Sequence, residues 1–304
     1  MSDDTAVPSR DGARCDMVGL LLLAACAAWT VLSAEGRQAR PEGVLLGLLA
    51  VTTGYAMGRI AGASLPVTGL LAPAVGVAVF VPAFGRPVLG EDAQAALLAL
   101  SVGAACCAGY SATGRVLPRA CGALALVLAA ESLLTYSLVG ALACGGTLLV
   151  AGSVHRTHGR ARASALLAIC ALAAVGTTVV LARTGAGGAP VPADRLTLWR
   201  EALTDLGEQP LRGVGPGDFG SGNASSAALQ AAAEQGWPGV ALLGCAFAWT
   251  LWALARSPRP TPAALSAAGA LTSLAVLASV TPVLGAPAVA VGAGLLLGLG
   301  AARP

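Results

Sequence analysis

Between residues 183 and 236 the chain gathers the side chains best suited to chemistry. They are Arg195, Arg200 and Arg212, the glycines Gly213, Gly215 and Gly217, and the carboxylates Glu201, Asp218 and Glu234. A guanidinium is a flat fork of donors that meets phosphate or carboxylate oxygens two at a time. Glycines, lacking a Cβ, let backbone N–H groups come close to the same oxygens. An arginine at the start of a helix adds the helix dipole to that attraction. Together these residues describe an anion-receiving surface. Each also has a plainer reading. The arginines could contact lipid headgroups or form a solvated face, the glycines could be a turn after a helix stop, and Asp218 could cap that turn. No Gly-Lys-Ser/Thr follows the glycines, so they are not a nucleotide P-loop.

The surrounding pattern says how these residues are carried. Asp194 can cap a helix running from Arg195 to about Glu208, with Leu196, Trp199, Leu203 and Leu206 at helical spacing. That makes an amphipathic helix lying on the membrane surface or against a bundle. Pro210 stops it, and the run Gly213 to Gly220 is a tight turn after a Gly/Pro-rich approach at 185–192. A second helix is expected from about Ser225, passing through Gln230 and Glu234 into an apolar run at Trp237.

Apolar runs fill the rest. Of 304 residues 56% are hydrophobic and only 11% charged, and the mean hydropathy is +0.76, whereas soluble domains carry about a quarter charged residues. The runs are long enough to cross a hydrocarbon core of ~30 Å. They do not alternate as barrel strands would, so they are helices. The expected fold class is all-α, a polytopic transmembrane bundle. Its spans fall at roughly 17–34, 43–58, 64–83, 93–112, 120–134, 136–153, 163–182, 237–255, 262–281 and 285–301. The chain divides into an N-terminal bundle over 1–182, a long loop over 183–236 and C-terminal helices over 237–304. No fixed repeat and no broken inverted repeat of the transporter kind is visible.

All 18 basic residues are arginine, and with abundant Ala and Gly this usage suggests a GC-rich bacterial genome. Arginine should collect on cytoplasmic loops. With the N-terminus inside, the inner segments hold Arg10, Arg14, Arg59, Arg115, Arg119, Arg156, Arg160, Arg162, Arg256, Arg259 and Arg303, while the short outer loops hold only Arg37, Arg40 and Arg86. Both termini are therefore expected in the cytoplasm, and the 183–236 loop outside. The first run continues to Leu32, too far for a cleaved leader, so it is expected to stay as a span. The eight cysteines lie mostly inside apolar runs and form no CxxC pair, which argues against disulfides and metal. His155 and His158 fall on an arginine-rich inner loop, too few to hold a metal. The net charge of +3 comes without a basic stripe interleaved with aromatics, so no nucleic-acid partner is expected.

In the loop, Arg195-x3-Trp199-x2-Ala202, then Pro210-Leu211-x-Gly213-x-Gly215-Pro216-Gly217-x-Phe219, then Leu229-Gln230-x3-Glu234-x-Gly236-x2-Gly239 resembles the signature of the O-antigen ligase/polymerase superfamily of bacterial surface-polysaccharide enzymes. The match spans about 45 residues, some 15% of the chain. The resemblance implies a glycosyl transfer on the outer face of the plasma membrane that needs no metal or other cofactor. The donor would be a polyprenyl-pyrophosphate-linked glycan, the acceptor a glycan or lipid. Arg195, Arg200, Arg212 and the three glycines would bind substrate.

One position departs from the family pattern. Members usually place a histidine, the expected acid/base residue, four residues before the Leu-Gln pair; here Ser225 and Ser226 stand there. A hydroxyl cannot serve as a general base near neutral pH. Asp218, inside the glycine turn, and Glu131, the one acid within an apolar run, are the catalytic candidates in its place; Glu201 and Glu234 are further options, the latter better suited to fixing the loop. A non-catalytic relative that binds lipid-linked glycan or serves an export complex is the second reading. A small-molecule transporter is the third, disfavoured by spans almost free of charge.

Overall fold

Ala-, Leu- and Gly-rich runs can satisfy their backbone in an apolar medium only by coiling on themselves. The computed structural model describes residues 10–37, 39–65, 67–85, 89–134, 138–153, 159–184, 193–219 and 224–302, and among these it is all helix, with no strand. The helices are α1 (Arg10–Ala34), α2 (Glu42–Ser64), α3 (Thr68–Phe80), α4 (Glu91–Ser111), α5 (Val116–Leu134), α6 (Leu138–Ser153), α7 (Arg160–Thr184), α8 (Ala193–Glu208), α9 (Ala227–Ala255), α10 (Thr261–Val280) and α11 (Pro287–Ala301). Seven of them, α1, α2, α4, α5, α7, α9 and α10, are long and apolar enough to cross a membrane. Three shorter apolar helices, Leu70–Ala83, Leu138–Ser153 and Pro287–Ala301, fall at the other expected spans.

Several expected boundaries shift. The stretch 64–83 divides into α3, which contains Pro73, and a π-helical turn Val81–Gly85. The stretch 120–153 does hold the two helices expected there, α5 ending at Leu134 and α6 beginning at Leu138. The eighth expected span is the second part of α9, which breaks at Gly236 (φ 68°, ψ −165°) ahead of Pro238. Gly185 to Pro192, Arg86, His155 and His158 lie outside the described residues.

Burial separates helices that hydropathy cannot. In α4 and α10, 83% and 78% of the most apolar residues are buried, against 11–28% in the other five long helices. These two form the centre, with Gly103 of α4 packed against Ala270 of α10. Around them, Leu20, Ile60, Leu126, Leu149 and Leu172 stand more than half exposed. An apolar exterior of this extent is suited to lipid rather than water.

The most extensive helix pair joins α2 to α11. Gly54, Gly58 and Gly62 repeat every four residues on α2, and Gly294 and Gly298 do so on α11; all five are buried. A methyl group at Gly54 or Gly58 would collide with the carbonyl oxygen of Val291 or Leu295, and one at Gly294 or Gly298 with that of Val51 or Tyr55. The backbones therefore touch directly, as small residues four apart allow in a membrane.

Gly58→Val and Gly294→Val are expected to destabilise the protein by about 1–3 kcal/mol, the usual cost of overpacking. The measurement is thermal unfolding in detergent. Gly122→Ala and Gly176→Ala, where a Cβ meets nothing within 4 Å, should leave the transition in place.

Candidate functional site

The motif residues fold onto one end of the bundle as a unit with a small core of their own. Trp199 and Ala202 of α8, Phe219 and Ala224 of the loop, Leu229 and Ala233 of α9 and Ala182 at the end of α7 are buried together. The periodic Leu196, Trp199, Leu203 and Leu206 thus turn inward, while Glu201 and Glu208 face solvent. α8 begins at Ala193, so Asp194 sits in its first turn rather than capping it from outside. Partial burial, and then the neighbouring Glu201 and Glu208, push the Asp205 carboxyl above the usual range. That face is acidic and would repel a polyanion.

The glycine turn is shaped by docking. Gly213, Gly215 and Gly217 have φ of 62°, 117° and 75°, a region closed to most side chains. Val214 N–H donates to Ala233 O (2.8 Å) and Gly215 N–H to Glu234 O (3.0 Å), so the turn lies along the first part of α9. Glu234 is buried; its carboxylate accepts from Gln230 Nε2 (3.0 Å) and from the Gly217 N–H. It is a fastener for the turn. Trp237 N–H, freed by the break at Gly236, donates to Pro210 O (2.9 Å), and Trp29 Nε1 of α1 donates to Gln235 O (3.1 Å).

The α1–α2 connection closes the turn from the other side. Arg37 donates to Gly213 O, and Arg40 N–H donates to Pro216 O (2.7 Å). A Cβ at Gly215 would lie 3.1 Å from the Ala39 methyl, and one at Gly217 2.8 Å from Arg40 O. Arg37 and Arg40 therefore join Arg212 beside the turn, Arg40 and Arg212 being exposed. In the sequence Arg37 and Arg40 serve only to mark orientation.

The expected substrate-binding arginines have structural duties as well. Arg195 Nη1 donates to Val280 O (3.1 Å) at the end of α10, and Arg200 Nε to Ala182 O (3.0 Å) near the end of α7. Arg195 also lines an open pocket of about 430 Å³, whose other walls are Gly90 to Ala93 at the start of α4 and Pro282, Val283 and Ala286 between α10 and α11. Glu91 and Asp92 are in this pocket. Neither stands out in the sequence, where they read as the polar edge of an apolar run.

Of the two carboxylates expected to act as base, Asp218 is exposed on the glycine turn, its N–H donating to Gly215 O (3.2 Å). Glu131 lies within α5, which packs on α4 and α6, and is not among the residues lining the Arg195 pocket. Its Oε2 is buried without a hydrogen-bond partner among the described residues. Ser226 caps α9, its Oγ accepting from Leu229 N–H at 3.5 Å. Ser225 adopts φ 52°, the one non-glycine among the described residues in the left-handed region, where a side chain costs roughly 1–2 kcal/mol. No group of three potential ligand residues that could hold a metal occurs among the described residues.

No family model matches the chain, and no curated protein or solved structure matches it.

Gly213→Ala should release the turn, because its Cβ would meet the Ala233 carbonyl and its φ is positive. Limited proteolysis with mass mapping is expected to show faster cleavage near residues 209–219, while Gly207→Ala, with open space around it, should not change.

Proposed function

We propose that this chain is a multi-pass plasma-membrane protein of about ten spans that transfers glycosyl groups from polyprenyl-pyrophosphate-linked glycans during bacterial surface-polysaccharide assembly, as a ligase or polymerase. The termini are cytoplasmic, and the α8, glycine-turn and α9 unit lies on the outer face. The carrying observation is that three separate motif segments, around Arg195, Gly213 to Gly217 and Leu229 to Gly236, pack into one body with its own core. A lipid-linked donor reaches this end of the bundle from the bilayer with its pyrophosphate at headgroup level. Arg37, Arg40 and Arg212 beside the turn are the groups suited to that pyrophosphate, since α8 presents acids to solvent. Breaking the sugar–phosphate bond adds negative charge to the leaving group, and guanidinium forks fixed beforehand stabilise it more in the transition state than before.

Two observations favour a second reading, a non-catalytic relative that binds lipid-linked glycan. Ser225 stands where the resemblance expects histidine, and Arg195 and Arg200 each hold a helix-end carbonyl. Gel analysis of surface polysaccharide separates the two. Deletion of the gene should remove or shorten the polymer. Arg212→Ala should then lower its amount at least tenfold with the protein still present in the membrane; polymer at the normal level would favour the binder. Topology has its own measurement. In a cysteine-free background, Arg212→Cys is expected to react with a membrane-impermeant maleimide from outside intact cells, and protection there would overturn the outward orientation.

A further inference from the structure

The pocket lined by Arg195 is a feature that neither the loop motif nor the turn accounts for. It brings together three parts of the chain far apart in sequence: the first turn of α4, Arg195 of α8 and the connection between α10 and α11. Its charged residues are Glu91, Asp92 and Arg195, a formal balance of −1. A bare pyrophosphate is repelled by such a site. A neutral, hydroxyl-rich sugar is not, because carboxylates accept from hydroxyls and a guanidinium donates to them.

Asp92 is the carboxylate placed to act there. It is half-buried, lines the pocket together with Arg195, and accepts no hydrogen bond from any described residue. Arg195 is held at one edge by Val280 O, which fixes the guanidinium while leaving further donors for the pocket. The backbone under Asp92 is the start of α4, the most buried of the long helices, so the carboxylate stands on a rigid support. Asp218, by contrast, is exposed on a turn, and Glu131 is outside the pocket.

We propose that this pocket is the acceptor site of the transfer and that Asp92 is its general base, taking the part left open by Ser225. This rests on the glycosyl-transfer reading above. The acceptor hydroxyl loses its proton to the Asp92 carboxylate as its oxygen forms a bond to the anomeric carbon. The bond from that carbon to the pyrophosphate oxygen breaks, and the electron pair leaves with the lipid pyrophosphate. The proton passes from Asp92 to solvent when the product departs. Arg195 donates to the sugar. Glu91, exposed in the same pocket, orients rather than accepts.

The test places Asp92→Asn, Asp92→Glu and Glu91→Gln in a strain lacking the chromosomal gene. Polymer is read on gels, protein from membranes, and the pH dependence of transfer in isolated membranes carrying native lipid-linked donor. Asp92→Asn is expected to lower transfer by about 10²–10⁴-fold, the range for loss of general-base catalysis. It should also let lipid-linked donor accumulate, and the residual rate should lose the acidic limb of the pH profile. Asp92→Glu should retain part of the activity and that limb, and Glu91→Gln should change transfer by less than tenfold. If deletion abolishes polymer but Asp92→Asn supports it normally, or loses it with an unchanged pH profile, the assignment of Asp92 is overturned and glycosyl transfer stands. If deletion leaves polymer unaltered, both are overturned.

Discussion

Helix ends inside or beside a membrane leave carbonyls without partners, and this protein meets that problem repeatedly with arginine. Arg195 and Arg200 donate to Val280 and Ala182 at one end of the bundle. At the other, Arg59 donates to Ala301, Arg259 Nη2 to Gly62 (3.1 Å), and Arg160 to Ser257 (2.6 Å) and Arg259 (2.8 Å). Each bond reaches from a helix, or for Arg259 from the α9–α10 connection, to the end of another helix or the residues just beyond it. Carbonyls left unpaired there would be costly, and a charged donor supplies a bond worth about 1.5–3 kcal/mol. The fork also lets one side chain serve two acceptors, which an ammonium on a flexible stem does poorly. A chain with no lysine is consistent with that use.

The same constraint shapes the proposed site. Because Arg195 is already fixed by a carbonyl, it enters the pocket it shares with Asp92 with little freedom left to lose. The glycine turn is likewise ordered before any ligand arrives, by Glu234, by Arg37 and by backbone bonds to α9. Charge then separates two neighbourhoods. Arginines cluster around the turn, while carboxylates line the pocket and the outward side of α8. A donor carrying phosphate and an acceptor carrying only hydroxyls would sort between them on electrostatics alone.

Much of the helical layout was legible because run length and polarity are local properties. The helices at 91–111, 160–184 and 261–280 lie within about three residues of their expected positions, while the one at 42–64 runs about six residues past its expected end. Hydropathy does not report neighbours, so nothing distinguished α4 and α10 from helices exposed along their length. The α2–α11 contact was hidden for a related reason. Gly54, Gly58, Gly294 and Gly298 are four among 40 glycines, and their meaning comes only from facing one another. Within the loop, amphipathic spacing placed α8, Pro210 marked its end, and the next helix was expected from about Ser225, two residues before it begins. Glu91, Asp92, Arg37 and Arg40 could not be read as partners of the loop, since some 100 to 175 residues separate them from what they touch.

The direct backbone contact between α2 and α11 bears on how the protein is made. Some 240 residues separate Gly54 from Gly294, so α2 is inserted long before its partner leaves the ribosome. Until then its groove of bare peptide must be covered by lipid or by an assembly factor, and any shorter nascent product would retain it uncovered. Completion of the bundle is therefore a late event in biogenesis, set by the arrival of a 15-residue helix rather than by the insertion of the long ones.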